Sequence, residues 1–457
     1  MKKTKKIVIV FYIFILIFAF ACQGQDNPPF EDDANKLELV ASTDTIEVGT
    51  TFFIKPDIYD RDEVEWALSN PDVLAIDEYY RITALKIGKC IVSCTLIDDN
   101  EVKGQIEIEV VKTKPVILAN TNIISVNQSI MVFSSNYEES ELTFSSLNTD
   151  IAIISNEGKL KGLKEGTAVI RASLKEDSSV YQEIEIRVVN NPRDVKDSLV
   201  LSLDEEKEEF RVGDIIKIKI ANGNYLNYDW STNKTSIATV VSQMGQSEGI
   251  VFANNEGIVN VYASKTDGSI SGQYTFKVKA GSENSIDYVS RLIYVAHSQI
   301  GYVETGDNNT KYGAWYGLNN AAWCAMFVSW CAYHAGIPLD NGINEGIMPR
   351  YASVSVGMEW FIEHNCFHYK EDYTPVAGDI IIFKSAGASH TGIVVTCANG
   401  RVYTIEGNTS DMVKDRSYEL SYEKITGYGH PNYPPFDGTP MVFNTDGSTD
   451  GADQKTD

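Results

Sequence analysis

Cysteine is scarce in this chain and positive charge is outnumbered. Seven Cys in 457 residues, with no C-x-x-C pair among them, exclude a disulfide scaffold, so each cysteine has to be judged alone. Lys and Arg number 39 against 63 Asp and Glu, a net charge of −24. That balance argues against nucleic-acid phosphates, or an anionic lipid face, as the main partner. What is present is apolar material: 43% hydrophobic and 11% aromatic residues, with 24 Tyr and 18 Phe. Such a chain can bury surface over most of its length, which removes the disordered, collagen-like and coiled-coil classes. At ~100 to 200 residues per domain the length predicts about three or four domains.

Residues 1–22 read as a targeting segment. Lys2, Lys3, Lys5 and Lys6 precede the apolar run Ile7 to Ala21, long enough for a secretory core and short for a bilayer span. Cys22 follows and opens the polar stretch 23–35. This pattern resembles a bacterial lipoprotein signal, which implies lipid modification of Cys22 and a membrane anchor on the outer face of the cell membrane. The alternative is cleavage after Ala19-Phe20-Ala21 and secretion. Either way export is expected.

Three repeats follow, expected at 36–112, 113–190 and 198–280. Val48-Gly49, Val126-Asn127 and Val212-Gly213 each lie 18 residues before an aromatic, respectively Trp66, Phe144 and Trp230. A Gly-led strand comes later in each unit, at Gly88, Gly166 and Gly257. Each unit closes on period-two alternation, such as Ile106, Ile108 and Val110. Short strands without helical stretches predict small antiparallel sandwiches. The repeats resemble bacterial Ig-like group 2 domains. Their plainest use is as spacers, with adhesion or glycan binding as the alternative. Cys90 and Cys94, four apart on one predicted strand, are too far apart to bridge and are expected in the core.

Near residue 281 the pattern changes. Ser285 is a candidate cap for a helix carrying Ile286, Val289, Leu292, Ile293, Ala296 and Ile300, which Gly301 stops. Asn320 is a candidate cap for a second helix, Ala321 to Ala335, apolar nearly all round. Cys324 then falls in the first turn, where free N–H groups favour an anion, which makes it a candidate nucleophile. Cys331, well inside the helix, reads as packing. A nucleophile needs a base. His390 opens the strand Gly392 to Thr396, and Asn399-Gly400 turns the chain into Arg401 to Asn408. A two-residue turn would put Glu406 on the face away from His390. A three-residue turn, pairing Cys397 with Arg401, would set Gly392 opposite Glu406 and gather His390, Glu406 and Asn408 on one face. Because the imidazole needs an acceptor at Nδ1 to fix its tautomer, the three-residue register is the expectation.

Trp323-Cys324-Ala325-Met326-Phe327-Val328, Gly378-Asp379, His390-Thr391-Gly392-Ile393-Val394 and Ile405-Glu406-Gly407-Asn408 resemble, in order, the motifs of the CHAP family of cysteine- and histidine-dependent amidohydrolases and peptidases. The resemblance covers roughly residues 285–433. It implies a papain-like α+β fold, Cys324 as nucleophile, His390 as general base, and Glu406 with Asn408 orienting the imidazole. It also implies peptidoglycan as substrate, cut at the sugar–peptide amide or within the peptide. Trp323, Trp315 and Tyr316 are the aromatic candidates for lining the groove. The whole chain thus reads as three all-β Ig-like sandwiches followed by an α+β papain-like domain. The alternative is a surface adhesin or spacer protein with an inactive CHAP-like domain.

No cofactor and no metal are expected. Gly306-Asp307-Asn308-Asn309-Thr310 offers one carboxylate, and His364, Cys366 and His368, though alternating, lack a fourth ligand. His297, His334 and His430 read as packing or surface residues. Residues 436–457, rich in Asp, Gly and Thr, are expected to be a disordered tail.

Overall fold

The computed structural model describes residues 37–203, 206–224, 228–242, 247–385 and 388–448. The expected signal segment with Cys22, the linker 23–35 and residues 449–457 of the tail lie outside the described residues. The chain divides into two compact units, one ending at Thr113 and one beginning at Lys114.

In the first unit two four-stranded sheets face each other. One joins Leu39–Ala41, Thr51–Pro56, Arg81–Ala84 and Leu74–Ile76; the other joins Thr45–Glu47, Lys103–Val111, Gly88–Leu96 and Val64–Leu68. Alternation decides what each face does. Phe52, Ile54 and Pro56 are buried while their neighbours are exposed, and the first two meet Cys90, Val92, Ile108 and Val110 of the other sheet. Cys90 and Cys94 are buried and free.

The second unit repeats this sheet pairing twice, around Val132, Ile170 and Ile186 and around Ile218, Val261 and Phe276. The molecule is therefore mostly β-sandwich-like ahead of its helical C-terminal region. The recurring sequence marks have a conformational cause. Gly49, Asn127 and Gly213 have φ of +86°, +69° and +102°, a left-handed region that favours Gly and Asn.

The third sheet pair is not a simple spacer. Its Val241, Ile250 and Phe252 belong to the same apolar core as Leu292, Ile293, Ala296 and Trp323 of the C-terminal region. Arg291, fully buried, donates from Nη1 to Asn254 Oδ1 at 2.8 Å and from Nη2 to the Ala253 carbonyl at 2.8 Å. A buried guanidinium is tolerated only when bonded, so Arg291 ties the two parts together. Thr239 Oγ1 donates to the His334 carbonyl at 2.6 Å, satisfying an orphan acceptor at a helix end.

Among the described residues, the C-terminal region has four helices: α1 (Tyr288–His297), α2 (Lys311–Tyr316), α3 (Cys324–His334) and α4 (Val354–Glu363). Helix α1 is capped by Asp287, whose side chain accepts from Ser290 N at 2.9 Å, and not by Ser285 as the sequence suggested. Helix α3 starts at Cys324 rather than Ala321. Asn320 instead occupies a turn at φ +60° and donates from Nδ2 to the Asp307 carbonyl at 3.0 Å. Nine of the eleven α3 residues are buried, in keeping with its all-round apolarity. Behind the helices lies an antiparallel sheet of β1 (Phe367–Tyr369), β2 (Ile380–Ser385), β3 (Ala388–Ala398), β4 (Arg401–Glu406), β5 (Lys414–Glu419) and β6 (Ile425–Gly429), in the order β1-β6-β2-β3-β4-β5. Ile393 and Ile405 of this sheet share the core with Met326 and Phe327 of α3.

The expected disordered tail is docked up to Ser448. Asp437 N donates to the Asn284 carbonyl at 3.2 Å and Met441 N to Ser290 Oγ at 3.1 Å. Phe443 packs on the shared core. That single apolar side chain and a few backbone donors anchor a segment whose composition alone suggests none of this. Among the described residues, no helix is long and apolar enough to cross a membrane.

Candidate active site

The β3–β4 hairpin sets the site, by a route other than the one the sequence suggested. Ala398 pairs with Arg401 across a two-residue turn in which Asn399 and Gly400 have φ of +53° and +76°. That is the primed turn Asn-Gly favours. A shift of register between Val394 and Thr396 then absorbs one extra residue, so that Ile393 pairs with Ile405. The expected three-residue turn is thus corrected, yet Gly392 still faces Glu406. A Cβ on Gly392 would come within 2.5 Å of Glu406 Cγ, so only glycine leaves room for the acid. A bulge inside the strand does what the turn was expected to do.

His390 Nε2 and Glu406 Oε2 stand 2.8 Å apart. The acceptor is on Nε2, not on Nδ1 as the sequence reasoning assumed. A carboxylate can only accept here, so the proton sits on Nε2 and Nδ1 is left for the thiol. The Cys324 side chain is near enough to favour a charged His390 ring. Burial works against a charged His390, but its interactions with Cys324 and Glu406 outweigh that, and the imidazole is raised to about 9. Cys324 is the first residue of α3, where a backbone N–H lacks an intrahelical partner.

Glu406 is fully buried and held on both oxygens. Thr404 Oγ1 donates to Oε1 at 2.7 Å, and Tyr418 O–H donates to Oε2 at 3.1 Å. Neither residue was anticipated from sequence. Thr404 lies two positions before Glu406 and so shares its face, a signal that was there to read. Tyr418 becomes visible only once β5 pairs with β4.

Other expected site residues lie elsewhere. Asn408, beyond the end of β4 at φ +58°, points its Nδ2 to Asn308 Oδ1 at 3.4 Å and not to the imidazole. Trp323 is fully buried, stacked 5.2 Å from Tyr312 and bonded through Nε1 to Glu304 at 2.9 Å, so it supports α3 and lines no groove. A side chain on Gly407 would clash with it and with Phe327. Trp315 and Tyr316 lie under the Arg350 guanidinium, at 5.2 and 4.1 Å. Trp315 lines a cleft of about 520 Å³ shared with Asn254 and Asn255 of the third sheet pair.

The remaining candidates are also placed. His364 stacks on Trp360 at 3.8 Å, whereas His368 stacks on Tyr373 at 4.3 Å, so they do not share a strand face with Cys366. Among the described residues no group of three or more His, Cys, Asp and Glu is arranged to hold a metal. His430, expected to be background, has a partner: its Nδ1 lies 2.7 Å from Oδ1 of the fully buried Asp379.

Residues 315–408 match the family model described as CHAP domain. That CHAP domain contains Cys324, His390 and Glu406, and domains of its kind are commonly cysteine hydrolases of peptidoglycan. An uncharacterized protein of Clostridium acetobutylicum is 24% identical over 226 residues, covering 45% of this chain and 22% of the relative, so the chain spans about a fifth of that relative's length. Among solved structures, the S-layer protein rSbsC(31-844) is similar at 17% identity and a TM-score of 0.23, over 54% of this chain and 40% of that one. The Escherichia coli adhesin FdeC is similar at 11% identity and a TM-score of 0.16, over 53% of this chain and 96% of that one. Likeness as slight as this carries no functional argument.

Proposed function

We propose that the CHAP domain is an exported thiol hydrolase that cuts amide bonds of peptidoglycan, either the N-acetylmuramoyl-L-alanine bond or one inside the peptide. The observation that carries this reading is a single imidazole bonded through Nε2 to a buried carboxylate and near the Cys324 thiol. His390 Nδ1 takes the thiol proton, and the sulfur attacks the amide carbon. The Cys324 backbone N–H, at the start of α3, would receive the developing oxyanion. The imidazolium then protonates the leaving amine, and water hydrolyses the thioester with His390 as base. Glu406 keeps the ring oriented and pairs its charge throughout.

The N-terminal segment supports export, and in this reading Cys22 carries a lipid that holds the enzyme at the outer face of the cell membrane. The sandwiches would be three Ig-like group 2 repeats, of which the third is part of the catalytic half. Incubating the full chain and its Cys324→Ala variant with purified sacculi tests the proposal, with released muropeptides read by mass spectrometry. Release by the unmutated chain alone, with a newly exposed amine at one bond type, is expected. Equal release by both proteins, or none by either, sinks the reading.

A further inference from the structure

Glu406 does more than face His390. Its carboxylate is fully buried, and no Lys or Arg is paired with it among the described residues, so His390 is its one cationic partner. An unpaired buried carboxylate is costly. Two hydroxyls share the load, one on each oxygen: Thr404 at 2.7 Å on Oε1 and Tyr418 at 3.1 Å on Oε2. Oε2 is also the oxygen that receives the imidazole at 2.8 Å. Tyr418 is itself fixed, stacked on Tyr422 at 5.4 Å and edge-on to Phe383 at 4.9 Å. Phe383 in turn lies 5.8 Å from the His390 ring.

We infer that Thr404 and Tyr418 are positioning residues, a two-sided clamp that holds Glu406 in one plane and keeps the His390 proton on Nε2. This rests on the thiol-hydrolase reading of the same site. The clamp also moderates the acid. Tyr418 and the imidazole share the lone pairs of Oε2, so removing the phenol strengthens the hold of Glu406 on the imidazolium and makes its proton harder to release. Burial, and then the negative charge of Glu406, push the Tyr418 phenol well above its ordinary range, so it stays a donor across the working pH.

The charged groups around this chain of contacts are few. Cys324 faces His390 from α3, Glu406 faces it from β4, and Phe383 on β2 brings no charge. Arg416, beside Tyr418 on β5, is engaged by Thr409 Oγ1 at 2.9 Å and Ser410 Oγ at 3.2 Å.

The rate of Cys324 alkylation by iodoacetamide against pH, followed on its own peptide by mass spectrometry, reads the thiol–imidazole pair without any substrate. It should be measured on the full chain, on Tyr418→Phe, on Thr404→Val and on the exposed control Tyr369→Phe. The upper inflection, set by imidazolium deprotonation, is expected to move up by about half a pH unit in both clamp variants and not in the control. Sacculus digestion by both clamp variants is expected to drop about tenfold in kcat with KM unchanged. Profiles that superimpose on the unmutated chain overturn the clamp, even if sacculi are digested. Shifted profiles in a protein that digests no sacculi uphold the clamp and sink the hydrolase reading instead. If circular dichroism shows Tyr418→Phe unfolded, Thr404→Val decides alone.

Discussion

Two histidine–carboxylate pairs sit in or beside one sheet, and Cys324 lies by only one of them. His390 with Glu406 and His430 with Asp379 have nearly equal separations, 2.8 and 2.7 Å, and both carboxylates are fully buried. The difference lies in which ring nitrogen the acid takes. Glu406 engages Nε2 and leaves Nδ1 to Cys324, whereas Asp379 engages Nδ1, which Tyr373 O–H also approaches at 3.2 Å. Asp379 also accepts from Val376 N at 2.8 Å, so it fastens the loop ahead of β2. A buried acid beside a histidine is therefore not a catalytic sign in itself. What makes the first pair a candidate site is a helix that begins at a cysteine against the free nitrogen.

The comparison breaks most directly at the sulfur. Cys324→Ala should lower sacculus digestion by on the order of 10^4-fold or more, with little change in melting temperature, since the group removed is small. Residual activity near the unmutated level would mean that some other group does the chemistry.

The two acids should then part company. Glu406→Gln keeps the shape and removes the charge that holds the imidazolium, and kcat is expected to drop by about 10^2- to 10^4-fold. Asp379→Asn should leave kcat within about threefold and instead cost about 1 to 3 kcal/mol of stability, because a buried hydrogen-bonded group loses its match to His430. Kinetics and urea unfolding on both variants check this, and a reversed pattern would exchange the roles assigned to the two pairs.

How much of this was legible depends on whether a feature is local. The repeat marks at Gly49, Asn127 and Gly213 were legible as marks because each holds a left-handed backbone that few side chains tolerate. Trp323-Cys324 and His390 stood out for the same reason: each is a short motif with its own chemistry. The bulge within β3 was invisible, since it is a matter of how β3 and β4 pair and no short motif marks it, and the Asn399-Gly400 turn, set aside in favour of a longer loop, was the right local reading. Asn320 misled because Asn serves both caps and left-handed turns, and here it makes the turn. Tyr418, the docked tail and the merging of the third sheet pair with α1 all require partners more than ten residues away, and no periodicity encodes those.

Acidity sharpens the comparison further. His390 is raised from 6.5 to about 9, so the stability it lends is fully present below about pH 6.5 and is lost as pH climbs through 9. His430 is raised too, chiefly by its hydrogen bond to Asp379, and its contribution fades in the same direction above 6.5. Melting curves between pH 5 and 10 should therefore fall on the alkaline side. His390→Gln is expected to flatten that fall more than His430→Gln, because His430 is the more exposed of the two, with 41% of its side chain open against 27%.

The smallest effect is the most discriminating. His430→Gln should digest sacculi within about twofold of the unmutated chain at pH 7, since glutamine can still donate to Asp379 and no reacting atom is near. Its pH–rate profile should keep the His390 limb in place. Were that limb to move, the two pairs would be coupled through the paired strands β2, which follows Asp379, and β3, which carries His390, and the second pair would belong to the catalytic apparatus after all.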